Sequence, residues 1–360
     1  MRFVLPVTLG MLGIFWYADF KESTPIIPTE IVAVATSTTE RFEEIPAQED
    51  VIEIAPTPPQ EEEQVVIETV EIETPLYNYP PMPLDAVNDN VLPALVSILC
   101  ANSAGSPIGG ATGSGVIIDP RGVILTNAHV AQYVLLESHK TYPESCVVRM
   151  GSPAKSLYKA KVLALPNSWV ELNAQYIKDE VVTGTGEDDW ALLFITTRID
   201  GSPLPVSFPF ISFDPRQRAA NDKNPVIVAA YPAGFLGLAT LQRNLWPSSA
   251  SIVIREVFTF AESTIDVLSL GGSVVAQGGA SGGAVVNQWN KLIGIVVTST
   301  LGATTAERDL RAITMAHIDN SLRKHKGMTL LQFLQEGDFQ NKVDLFEKYS
   351  IPYLLEMYPF

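Results

Sequence analysis

Positive charge is what this chain has least of: its 360 residues carry 24 Lys and Arg against 40 Asp and Glu, a formal net charge of -16. A protein that reads a phosphate backbone needs a basic face to displace counterions. This composition cannot assemble one, and no nucleic-acid partner is expected. Histidine and cysteine are scarcer still. His129, His139, His317 and His325, with Cys100 and Cys146, lie too far apart for the short-spaced pairs of a zinc site. Neither a metal nor another cofactor is expected, so any chemistry falls to ordinary side chains.

Long apolar runs are also missing. The stretch from Phe3 to Tyr17, behind Arg2, falls short of the roughly 20 residues that cross a bilayer as a helix. It has the size of the hydrophobic part of an export signal. Ala18 stands alone, and Ala33-Val34-Ala35 lies too far downstream to serve as a cleavage site. Residues 1–20 are read as a signal peptide or, in preference, a retained membrane anchor. The protein is then expected outside the cytoplasm, anchored or secreted.

Between residues 21 and 75 there are 14 acidic residues against Lys21 and Arg41, so this segment holds -12 of the total charge. Proline fixes extended backbone and like charges repel, so residues 21–87 are expected to form a disordered, solvated linker. After residue 88 the pattern changes to short apolar runs cut by Gly, Pro, Asn and Asp. The runs are Leu92 to Cys100, Gly115 to Ile118, Val123 to Thr126, Cys146 to Met150, Ala191 to Ile195 and Val226 to Ala230. Ser251 to Phe258, Thr264 to Leu270, Ala284 to Asn287, Leu292 to Thr298 and Leu310 to Met315 complete the set. Such spacing reads as an all-β barrel or sandwich pair. Helical period shows after Asn127 and beyond Ile318. Residues 326–360 read as a short helical tail, whose Leu331, Phe333, Leu334, Phe346, Tyr349, Tyr353 and Leu354 are expected to dock on the β domain. Cys100 and Cys146 fall in two of the expected strands, and in an exported β domain they are expected to be bridged.

Three segments place a reactive side chain beside the backbone feature its chemistry requires. Gly113-Ser114-Gly115 opens a hairpin that leads through Thr126-Asn127-Ala128 to His129 at the start of a short helix, a rigid mount for an imidazole. Glu187-Asp188-Asp189-Trp190 puts a carboxylate at the entry to an apolar strand. Gln277-Gly278-Gly279-Ala280-Ser281-Gly282-Gly283 sets a hydroxyl on a Gly-rich turn, where peptide N–H groups can approach a developing oxyanion at little steric cost. Each is weak alone. Together, in the order His, Asp, Ser, they suit two successive barrels meeting at a cleft.

Thr126-Asn127-Ala128-His129, Asp189-Trp190-Ala191-Leu192-Leu193 and Gly279-Ala280-Ser281-Gly282-Gly283 resemble the trypsin/chymotrypsin-like serine protease superfamily, nearest its bacterial high-temperature-requirement branch, over about residues 90 to 325. The resemblance implies a double six-stranded antiparallel β-barrel over residues 88–325; with about 35 residues after His325, no PDZ-like module is expected to follow it. It implies a serine endopeptidase acting on proteins or peptides, with Ser281 as nucleophile, His129 as general base and Asp189, rather than Asp188, as its orienting carboxylate. The N–H groups of Gly279 and Ser281 would form the oxyanion hole. Val275, Val297, Thr298 and Ser299 would line the substrate pocket, and the lack of charge there predicts cleavage after small or medium apolar residues.

Two departures accompany the match. Ala280 stands where other members carry Asp or Asn, so no carboxylate awaits a freed N-terminus. Val297 falls near the place of a hydroxyl that commonly supports the orienting carboxylate, unless Thr298 takes that part. They motivate one alternative, a catalytically silent protease-fold module tethered at the cell surface for protein binding. An α/β-hydrolase elbow with Asp309 and His317 as Ser281's partners matches the Gly-x-Ser-x-Gly spacing, but it demands a helix after the serine where a strand is expected. No feature of the sequence sets an oligomeric state.

Overall fold

Short strands, most of them buried along nearly their whole length, build two antiparallel sheets in the computed structural model. The structure describes residues 75–101, 109–141, 143–179, 185–220, 225–234, 236, 238–260, 264–300 and 304–360. The apolar segment 1–20 and the linker as far as residue 74 lie outside the described residues.

The first sheet is a closed barrel. Its strands are β1 (Leu95–Ala101), β2 (Ala111–Asp119), β3 (Val123–Thr126), β4 (Ser145–Met150), β5 (Lys155–Ala164) and β6 (Ala191–Arg198), paired in the order β1-β2-β3-β6-β5-β4. Gly122, at φ 96°, closes the β2–β3 turn, and the Asp119 carboxylate accepts from the backbone N–H and the guanidinium of Arg121. Ile98, Ile117, Ile124, Val148, Val162 and Leu193 fill the interior. Strand β5 is missing from the sequence-based set. Its Tyr158, Ala160 and Val162 point inward between half-buried lysines, a true period of two carried partly by alanine, which has little β preference.

Cys100 and Cys146 face each other directly across the β1–β4 pair and are joined by a disulfide. Cross-linking a loop of this size restricts the unfolded chain. Replacing both cysteines by serine is expected to lower the unfolding free energy by roughly 2 to 4 kcal/mol, read from urea titration. An unchanged midpoint would show that the bridge contributes nothing.

The second sheet comprises β7 (Pro225–Ala230), β8 (Ser248–Val253), β9 (Glu256–Phe258), β10 (Val267–Gly271), β11 (Ala284–Asn287), β12 (Leu292–Ser299) and β13 (Leu310–Thr314), in the order β8-β7-β11-β12-β13-β10-β9. Its two end strands are halves of one bent run, interrupted at Ile254-Arg255. The first half pairs with β7 and the second with β10, so the sheet curls back on itself. The sequence reading of Ser251 to Phe258 as a single strand therefore corresponds to a bent one. With that run counted once, the sheet is the second six-stranded barrel.

The helices are α1 (Leu84–Val91), α2 (Ala128–Leu135), α3 (Asn167–Asn173), α4 (Leu238–Arg243), α5 (Met315–Lys326), α6 (Leu330–Gln335), α7 (Phe339–Leu345) and α8 (Ile351–Leu355). The expected linker boundary at residue 87 cuts through α1, whose Val87 and Val91 are fully buried in the same core as β7 and β11. Just before it, Tyr77 stacks on Trp289 and donates to Asp214. The tail is likewise part of the fold rather than an appendage. Leu330, Phe333, Phe339 and Val343 enter one core cluster, and Phe346, Ile351, Leu354 and Tyr358 enter the interior of the first barrel's cluster. Of the tail residues expected to need cover, Phe333, Leu334, Phe346 and Leu354 are buried, whereas Leu331, Tyr349 and Tyr353 stay exposed.

Candidate active site

His129 sits in the first turn of α2. Strand β3 ends at Thr126, whose hydroxyl donates to Ser114 O (2.7 Å), and the helix behind the imidazole is held by buried Val130, Ala131, Val134 and Leu135. Asn127, the residue that caps this helix, donates through Nδ2 to the backbone carbonyl of Asp189 (2.9 Å). The start of α2 and the approach to β6 are thereby tied together.

It is Asp189, not Asp188, whose carboxylate reaches the imidazole. Oδ1 accepts from the His129 backbone N–H at 2.9 Å and Oδ2 meets Nδ1 at 2.7 Å. A carboxylate can only accept, so Nδ1 carries the proton and the lone pair of the neutral ring is on Nε2. The Asp189 side chain is 8% exposed and that of His129 28%, so the pair is shielded from water on one side and open to the cleft on the other. Burial works against charging the ring, but the adjacent Asp189 carboxylate, through its charge and its hydrogen bond, outweighs it and raises the His129 pKa above the ordinary 6.5. Among the described residues the Asp189 carboxylate accepts from His129 alone; no hydroxyl joins it.

Ser281 lies on a turn whose carbonyls are all engaged elsewhere. Gln277 O accepts from Ala280 N–H, Gly278 O from Ala233 N–H, and Ala280 O from Gly283 N–H. Gly279 O accepts from the Ser114 hydroxyl and Ser281 O from Ser114 N–H, each at 2.7 Å. The N–H groups of Gly279 and Ser281 donate to nothing among the described residues. Two glycines make this backbone path available. Gly279 has φ 87° and Gly282 φ 85°, and a Cβ on Gly282 would fall 2.1 Å from Ser114 O, so the turn lies directly against the first barrel.

Ser114 was the residue sequence reasoning passed over. Fully buried, it receives the Ser281 turn through both its N–H and its hydroxyl, and the same hydroxyl accepts from Tyr231 N–H at 2.9 Å. The available signal was its setting between Gly113 and Gly115, where a Cβ would strike Val130 at 2.6 Å and Ile124 at 2.7 Å respectively. Ser114 thus occupies a strand segment in which its neighbours have no room for side chains.

His129, Asp189 and Ser281 line one cleft of about 780 Å³. No hydrogen bond joins Ser281 Oγ to His129 among the described residues; such contacts are commonly long until substrate is bound. The lining from the Ser281 turn, β12 and β13 consists of Gln277, Gly278, Ala280, Ser281, Val296, Val297 and Leu310, none charged. The loop before Asp189 and α5 add Glu187, Asp188, Lys324 and His325. Of the expected pocket residues, Val297 lines the cleft. Val275 does not: it is fully buried in the core of the second barrel. Thr298 and Ser299 belong to β12, but their side chains lie outside the described residues. Val297 occupies a bulge of β12 against β13 and is close to Gly186 in the loop before Asp189.

Comparison with protein families matches residues 113–295 to the trypsin-like peptidase domain. The chain belongs to this family. No curated protein matches the chain. The match begins at Gly113, takes in all three segments singled out above and ends in β12, so the terminal helices α5 to α8 of this trypsin-like peptidase lie beyond it. The α/β-hydrolase alternative fails on the same geometry. Ser281 is followed by β11 rather than a helix, Asp309 is held by Ser269, Gly271 and Arg311, and His317 is paired with Asp266. Among the described residues no helix is long and apolar enough to cross a membrane, and no cluster of His, Cys, Asp and Glu is arranged to hold a metal.

Proposed function

We propose that this trypsin-like peptidase is an active serine endopeptidase in which His129, Asp189 and Ser281 form the triad. The observation that carries the reading is the double hydrogen bond from His129 to Asp189 on the wall of the cleft into which Ser281 is turned. Ser281 Oγ attacks the scissile carbonyl while His129 Nε2 takes its proton. The same proton then passes to the departing amine, leaving an acyl-enzyme that water hydrolyses by the reverse sequence. Asp189 keeps the proton on Nδ1 and balances the charge that appears on the ring. The unused N–H groups of Gly279 and Ser281 receive the oxyanion. The uncharged lining around Val296, Val297 and Leu310 favours small or medium apolar side chains before the cut. The disulfide supports an oxidising compartment, and residues 1–20 would place the enzyme outside the cytoplasm, anchored through the acidic linker or released.

The test is digestion of a mixed peptide library by the full chain beside Ser281→Ala, with a serine-directed phosphonylating reagent applied to both. Labelling and cleavage in the parent alone support the endopeptidase. A folded parent that neither cleaves nor labels would favour the silent binding module, the reading that Ala280 and Val297 motivate.

The acid limb of kcat/KM follows from the raised His129 pKa. The base must be neutral, and a raised pKa keeps it protonated to higher pH. Activity is expected to fall as pH drops through a midpoint above 6.5. A midpoint below 6.5 would contradict the pairing with Asp189.

A further inference from the structure

Among the described residues no hydroxyl reaches the Asp189 carboxylate, and the two residues beside it are held instead. Asp188 takes the left-handed conformation at φ 56°, which Asp and Asn tolerate better than other side chains. This turns its carboxylate away from the imidazole and toward α5. There Oδ1 accepts from the Ser321 hydroxyl and Oδ2 lies 3.2 Å from His325 Nε2 and 3.4 Å from Ser168 Oγ. On the other flank, Trp190, which is 1% exposed, donates through Nε1 to the same Ser321 oxygen at 2.8 Å. Ser321 is thus the node. Its oxygen accepts from the indole N–H of one neighbour of Asp189, and its hydroxyl donates to the carboxylate of the other.

A third attachment comes from the backbone. Asp188 N–H points at His317 Nε2 at 3.4 Å, and His317 Nδ1 lies 3.2 Å from Asp266 Oδ1. His317 thus spans from Asp266 to the loop. Ser321 is 5% exposed, which leaves its hydroxyl little access to water as a substitute partner.

We infer that Ser321, through Asp188 and Trp190, is a positioning residue that holds Asp189 at the distance His129 requires, in place of the hydroxyl that Val297 cannot supply. The proposal rests on Asp189 being the orienting carboxylate of a working triad. A buried node that fixes both flanking residues restricts the loop to one register. Without it the Asp189 carboxylate can drift by tenths of an ångström at no cost in lost partners, because its bonds are to His129 alone. Such drift weakens the stage in which the ring becomes charged, and so acts on kcat rather than on substrate binding.

The test compares the full chain with Ser321→Ala, Ser321→Thr and Trp190→Phe, with Arg323→Ala as a control that removes the ion pair to Asp319 on the same helix. Two quantities are read: kcat and KM on one cleaved peptide, and the proton NMR signal of His129 Nδ1–H. Ser321→Ala is expected to lower kcat by about 10- to 100-fold with KM within about twofold, and to move or broaden the imidazole signal. Trp190→Phe shifts both in the same direction by less. Ser321→Thr, which restores the hydroxyl, returns kcat to within about threefold, and Arg323→Ala matches the parent. A Ser321→Ala enzyme with parental kcat and an unmoved signal overturns the proposal, as does a loss shared equally by Arg323→Ala. Should Ser321→Ala fail to fold, Trp190→Phe and Ser321→Thr decide it by the same two readouts. A parent without peptidase activity defeats the triad reading instead, and the NMR comparison then still reports whether Ser321 holds the Asp189–His129 contact.

Discussion

Ser281→Ala is expected to lower kcat by about 10⁶-fold while leaving the fold intact. The structural half of that expectation comes from the bonding of the turn. Ser281 Oγ has no partner among the described residues, whereas the main chain around it is held by five carbonyl contacts, two of them to Ser114. Removing the hydroxyl leaves no buried group unsatisfied, so the melting temperature should match the parent within a degree or two. The chemical half follows from removing the atom that forms the acyl bond. Residual hydrolysis of about 10³-fold over water would remain if the Gly279 and Ser281 N–H groups still polarise a bound carbonyl. Steady-state kinetics with thermal melting on the same samples measure both halves. A variant retaining a tenth of parental activity would remove Ser281 from the mechanism.

Asp189→Asn should lower kcat by about 10⁴-fold. Asp189 uses both carboxylate oxygens as acceptors, one for the His129 backbone N–H and one for Nδ1–H. An asparagine has a single acceptor oxygen. If that oxygen serves the backbone, the amide NH₂ faces Nδ1 and forces the ring proton onto Nε2, where it blocks proton transfer from Ser281. If it serves the ring, the amide and the backbone N–H confront each other with two donors and no acceptor. Either outcome is costly, and the first predicts a particular signature. Activity should partly recover at high pH, where hydroxide from solvent can take the Ser281 proton that the blocked ring no longer accepts. A pH–rate profile without that recovery, or a loss below about 100-fold, would argue that Asp189 does not set the tautomer.

Much of this site was legible in local sequence because its parts are made locally. A Gly-rich turn around Ser281, a strand end delivering His129 to a helix, and an acidic pair before an apolar strand each announce a backbone shape through residues within a few positions. The choice of Asp189 over Asp188 came from the family pattern, and the structure shows the reason in the left-handed backbone at Asp188, which sends the two carboxylates to opposite neighbours. The strands with branched and apolar residues were equally readable. Strand β5 was not, because lysine and alanine mask its period. The terminal helices could be recognised as short, but which core they enter depends on surfaces formed by residues more than two hundred positions away.

By itself, then, the sequence determined the all-β class, Cys100 and Cys146 as bridge candidates, and the three segments that carry the reactive groups. Tertiary structure decided how those segments register. Ser114 reaches the Ser281 turn across 165 residues to Gly279 O, and Ser321 gathers Asp188 and Trp190 from more than 130 residues away. Contacts of that kind have no local signature. A buried serine looks like any other serine until the chain has closed around it, and its worth comes from which unpartnered groups happen to meet there, a property of packing and not of any stretch of residues.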